Sequence, residues 1–198
     1  IRNHWNRKTI CLVVDAYNDY VVGYALGNQE NSELITEALR NACRNQQTFP
    51  NQLKTDNFGK NELKNVFTNI ALHYTPSEVG NARDKVVEAV FGRLYNEVTR
   101  FRKNASGRNI TAKEKPNKEY LRKIAAQFPD EDKVVEQIHE DIFLWNNKPR
   151  DRYNGKSLEQ IYMEGDHTKN REFTQSLYLR YLGVKHNYLN EYTNRGLE

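Results

Sequence analysis

At 198 residues the chain is long enough for one core of ordinary size with an appended subdomain. A mean hydropathy of −0.91 with 37% hydrophobic residues describes a globular protein with a very polar surface; no apolar run reaches the length of a membrane span, and no basic-plus-apolar leader opens the chain. The formal charge of +4 is too small to argue for a nucleic-acid partner by itself, and two cysteines without histidines at ligand spacing give no zinc signature.

Residues 1–8, IRNHWNRK, are polar and basic and read as a cut end. Thr9 to Asp15, TICLVVD, is a continuous apolar run closed by a carboxylate, the mark of a strand buried on both faces. Ala16 to Asp19 supplies turn chemistry, and Tyr20 to Leu26 returns as the partner strand of a hairpin. Asn31 or Ser32 caps the next helix, whose buried stripe is Leu34, Ile35, Ala38, Leu39 and Ala42. Pro50 ends the connection, residues 51–56 form a strand that delivers Asp56, and Asn57-Phe58-Gly59 turns the chain. A short helix over Lys60 to Val66 and a strand over Ile70 to Tyr74 follow. Val87, Val90, Phe91, Leu94, Val98 and Phe101 then recur at three- and four-residue steps, the stripe of a long helix. Asn81, Lys85, Glu88 and Gly92 fall on a neighbouring line, so Glu88 is presented beside the buried face. Cys11, in the first strand, and Cys43, in the first helix, read as small buried or half-buried hydrophobes in a reducing compartment.

From Arg93 to Lys123 ten lysines and arginines face only three glutamates, a basic segment directly after Glu88 where a phosphate backbone has room to lie. Asn104 to Asn117 has no apolar periodicity and reads as a linker. Beyond it, Tyr120 to Phe128 and Val134 to Trp145 form two amphipathic helices, and Ser157 caps a further helix through Glu159 or Ile161. The expected organisation is a core over 1–103, a linker over 104–117, a helical closing part over 118–165, and a lead-in to a β-barrel over 166–198. The five histidines are scattered, and none is assigned to a metal.

A carboxylate at a strand end and another on a following helix converge readily on one hard cation. Such oxygen donors suit Mg²⁺, which keeps some waters and completes its shell from phosphate; that is the geometry of metal-assisted phosphodiester chemistry. The residues T-D-N-F-G-K from Thr55 to Lys60, the apolar run ending Tyr74-Thr75-Pro76, and G-N-A-R-D-K-V-V-E-A-V-F-G-R-L from Gly80 to Leu94 resemble the catalytic core of the DDE transposases and retroviral integrases, in particular the Mu-type branch. The resemblance extends from about Thr9 to Tyr162 and implies an α/β, ribonuclease H-like mixed sheet flanked by helices, with the first strand lying before Thr9.

It implies that Asp56 and Glu88 are the second and third acidic residues of the triad and hold two Mg²⁺ (or Mn²⁺) ions in the complete site. Lys85 matches a basic position placed against DNA, with Arg83 on phosphate, while Asn57 and Asn81 orient the Asp56 turn or the DNA. Asn18 and Asp19 stand where the family carries Ser-Arg, which weakens any DNA contact expected there. The first Asp is expected upstream of Ile1; a substituted site, or Asp15 standing in, are the alternatives. The implied partners are transposon ends and target DNA, further copies of the chain on that DNA, and accessory transposition proteins, with no membrane. The implied location is the bacterial cytoplasm, at the nucleoid when acting. Two rival expectations use the same residues: a ribonuclease H-like nuclease or resolvase, and a non-catalytic remnant that binds DNA or assembles with partners.

Overall fold

In the computed structural model the first hairpin follows directly from its sequence. Strand β1 (Thr9–Val14) pairs antiparallel with β2 (Val21–Gly27), Thr9 opposite Gly27, with a register shift between Val13 and Val14. The structure describes residues 8–55, 59, 61–77, 86–102, 104–105, 127–184, 192–193 and 196–197. In the turn, Asp15 Oδ2 accepts the Asn18 N–H (3.1 Å), and Asp19 adopts a left-handed φ of 71°, a conformation that Asp tolerates better than most residues.

Helix α1 (Ser32–Gln46) starts where Asn31 Oδ1 accepts the Leu34 N–H (2.8 Å). It lies so close to β2 that a Cβ on Gly23 would come within 2.4 Å of the Ala42 nitrogen. Short strand β3 (Thr48–Phe49) leads into β4 (Gln52–Thr55). Helix α2 (Lys64–Ile70) then crosses to β5 (His73–Pro76), which pairs parallel with β4, Gln52 opposite His73. Helices α3 (Val86–Glu97), α4 (Glu131–Asn147), α5 (Leu158–Met163) and α6 (Gln175–Leu182) follow; β6 (Arg171–Glu172) pairs with β3, and a hairpin joins β7 (Tyr192–Thr193) to β8 (Gly196–Leu197).

Strand alternation sorts β1 into two faces. Ile10, Leu12 and Val14 pack with α3, α4 and α5 through Val90, Leu94, Trp145 and Leu158. Cys11 and Val13 face α1, against Ala25, Leu34 and Ala38. The strand is therefore covered on both sides, as its unbroken apolar run requires. A second cluster joins Leu39 and Cys43 of α1 to Leu53 of β4, Phe67 and Ile70 of α2, and Leu182 of α6.

Several expectations shift. The helix expected over Lys60 to Val66 runs over Lys64–Ile70, because a backbone turn closed by Leu63 N–H to Gly59 O (2.8 Å) occupies the preceding residues. Ile70 and Ala71, expected in a strand, are instead the buried end of that helix, and the strand begins at His73. The long helix stops at Glu97, so Phe101, the last member of its stripe, is 70% exposed. Ser157 does cap α5, but its partner is Gln160 in a reciprocal capping box rather than Glu159 or Ile161. The linker over 104–117 and the helix from Tyr120 to Phe128 lie mostly outside the described residues.

Candidate active site

Of the residues singled out in the sequence, Asp56, Asn57, Asn81, Arg83 and Lys85 lie outside the described residues. Glu88 is described. It projects from the first turn of α3 and is exposed, while Val90, two residues on, is fully buried and fixes the rotation of the helix. A carboxylate at that position is favoured by the helix dipole. Thr55, the last residue of β4 and the neighbour of Asp56, has its carbonyl bonded to the Ser77 N–H (2.8 Å) just past β5. Thr55, Ser77 and Glu88 are among the residues that line one wide, open groove, which β1, α1, α3 and α4 also border.

Asp15 lines the groove too, with different neighbours. The Tyr162 phenol is pushed up to about 12, first by burial, then by the negative charge of Asp15 beside it and by Tyr20 and Cys43. Cys43 lies near the end of α1, and β4 starts six residues after α1 ends. Burial likewise pushes the Cys43 thiol up to about 12, so it is a protonated core residue at neutral pH.

What holds α3 in place went unread in the sequence. Asp19 pairs with Arg93 on α3 (2.8 Å) and with Arg152 (2.9 Å). Its carbonyl accepts the Trp145 Nε1–H (3.0 Å). Asn18, fully buried, donates Nδ2 to the Leu158 carbonyl (2.8 Å) and accepts the Tyr20 N–H (2.9 Å). Asn146 of α4 completes the junction by bonding both backbone groups of Val21 at 3.0 Å each. Asn18 and Asp19 thus act inside the fold, tying α3, α4 and α5 to the hairpin. Arg93, five residues after Glu88, is where that tie reaches the helix carrying the carboxylate. The only local signal was two polar residues between two apolar runs, which reads equally as an ordinary turn.

The carboxylates that line the groove, Glu88 among them, offer hard oxygen donors. Among the described residues no three His, Cys, Asp or Glu side chains cluster as a metal site. The donor type fits Mg²⁺ or Mn²⁺ and not a soft-metal site. Among the described residues no helix is long and apolar enough to cross a membrane. No protein-family model matches the chain, and no curated protein matches it.

Proposed function

We propose that this chain is the catalytic core of a DDE-type DNA transposase or integrase, built on a ribonuclease H-like sheet. The observation that carries the reading is that the strand end leading into Asp56 and the helix turn bearing Glu88 open onto one groove, within T-D-N-F-G-K and N-A-R-D-K-V-V-E motifs. The order hairpin, helix, strand, helix, parallel strand, helix supports the fold. The first carboxylate belongs, on this reading, to a strand leading into Thr9. Asp15 Oδ2 accepts the Asn18 N–H inside the hairpin turn, a local structural role that argues against its standing in.

In this mechanism Asp56 and Glu88 present carboxylate oxygens to two divalent ions, which when bound neutralise phosphate charge and activate water or a DNA 3′-hydroxyl. The protein supplies no covalent nucleophile. Lys85 and Arg83 hold phosphates by charge-assisted hydrogen bonds, and Asn57 and Asn81 orient the strand-end turn or the DNA. The Asp19–Arg93 pair keeps α3, and with it Glu88, at a fixed distance from the hairpin. Partners on this reading are transposon ends, target DNA, further copies of the protein and accessory transposition proteins, in a bacterial cytoplasm.

In the full-length parent, Glu88→Gln is expected to lower joining of a 3′ end to target DNA by about a thousand-fold or more while leaving DNA binding intact. Hydrolysis without joining by the parent favours the nuclease or resolvase reading. Unchanged joining in the variant places the active site elsewhere.

A further inference from the structure

The apolar stripe of α3 runs past the end of the helix, and its last member is turned outward. After Glu97 the chain makes a 3₁₀ turn over Thr99–Phe101, with the Phe101 N–H bonded to Val98 O (3.3 Å) and the Arg102 N–H to Thr99 O (3.0 Å). That turn carries Phe101 away from the cluster that holds Val90, Leu94 and Val98, and leaves it 70% exposed. The Arg100 guanidinium lies over one face of the ring, 4.7 Å from its centroid, and Arg100 is itself exposed.

The turn is pinned from both sides of α4. Arg102, the next residue, gives Nε to Asp141 Oδ1 (2.9 Å) and Nη2 to Glu140 Oε2 (2.8 Å), and Asp141 is buried. Asn104 donates Nδ2 to Gln137 Oε1 (3.0 Å). The backbone that presents Phe101 is therefore ordered on folding, and a partner meets the ring without a further ordering cost. So much apolar surface on a fixed turn gains free energy by being covered.

Charge selects what covers it. The flanks of Phe101 are Arg100, Arg102, Lys103 and Asn104, whereas an apolar protein surface docks on a contiguous apolar patch. From Arg93 to Lys123 the basic segment carries ten lysines and arginines against three glutamates. An aromatic ring among cations complements a π-face carried on a polyanion, which is a nucleobase on its strand. In a duplex those faces are stacked on one another, so the base must be unpaired. Thr99, Arg102 and Asn104 line the same groove as Glu88, and helical rise places Phe101 at most about 20 Å from Glu88 along the chain.

We propose that Phe101, with Arg100 over one face of its ring, is a stacking platform for an unpaired base of a DNA strand that runs into the groove. The inference rests on the reading of this chain as a DNA-processing enzyme, and adds that the DNA is unpaired close to the site.

The test titrates the 198-residue chain, by fluorescence anisotropy, with a labelled oligothymidylate of about twenty nucleotides and with a duplex of the same length. Phe101→Ala is expected to weaken oligothymidylate binding by about 5- to 150-fold, the value of one base–aromatic stack, and duplex binding by less than about two-fold. Phe101→Tyr keeps the affinity, and Phe101→Leu, apolar but without a π-face, loses it as alanine does. The salt dependence stays that of the wild type, because stacking releases no counterions. Phe101→Ala is also expected to keep the wild-type urea midpoint and the wild-type mass in sedimentation. A lowered midpoint places the ring inside the protein, a changed mass places it against a second copy, and either overturns the proposal. So does unchanged oligothymidylate affinity in Phe101→Ala, an equal loss on both DNAs, or full affinity in Phe101→Leu. Duplex and oligothymidylate binding that ignore Phe101 defeat the platform alone, whereas a wild-type chain that binds neither DNA defeats the DNA reading with it.

Discussion

The two ends of β1 teach opposite lessons. At its C-terminal end the hairpin turn is over-determined: Asp19 holds two arginines and a tryptophan N–H, Asn18 is fully buried with its amide satisfied, and Asn146 bonds both backbone groups of Val21. Along its length the same strand lines a wide groove that α1 and α3 also border. The polar junction fixes where α3 and α4 lie, and the groove is where the proposed chemistry takes place. A rigid frame around an accepting cleft is the division expected when residues from distant segments must be held to a fraction of an ångström.

The sharpest way to break the frame is Trp145→Ala. Trp145 is 1% exposed, packs with Leu12, Val90 and Leu158, and carries Arg150 over its ring at 4.3 Å. Its removal is expected to cost about 3–5 kcal/mol in urea unfolding. A loss under about 1 kcal/mol would show the junction to be less central than the contacts imply. Next comes Gly23→Ala, where the new methyl meets the Ala42 backbone. Overpacking of this kind is expected to cost about 1–3 kcal/mol and to shift α1.

The smallest effect lies at Glu97. Burial tends to raise its carboxyl, but hydrogen bonds and charge from Arg150 and Lys148 outweigh that and hold it below the usual range. A depressed carboxylate contributes stability above its unfolded pKa of about 4.3 and loses it as pH falls through the lower folded value. Thermal stability is expected to drop on acidification below that point, and Glu97→Gln to remove part of the drop, worth under about 1 kcal/mol. An acid limb of the same size in the variant would show that Glu97 is not its source.

The parts of the fold legible in the sequence are those set by local rules. The apolar run of β1, the turn chemistry of Asn18 and Asp19, the Asn31 cap and the existence of α4 all read directly, although Phe143 of its expected stripe is exposed. The misreadings came where tertiary contacts override periodicity. Ile70 and Ala71 look like the start of a strand but end a helix whose anchor is Phe67. Phe101 continues a helical stripe in sequence and yet lies beyond the last turn. The exposed position of Glu88 beside the buried face of α3 was legible because the apolar stripe fixes the helix rotation. The Asp19–Arg93 and Asn146–Val21 ties were not, since their partners stand 74 and 125 residues apart and nothing local marks them.

The most direct measurement is Mn²⁺ titration of the 198-residue chain, followed by electron paramagnetic resonance, beside Asp56→Asn and Glu88→Gln. The account predicts weak saturable binding that either substitution abolishes, because the two carboxylates share the ion. Binding that survives unchanged in both variants would contradict it.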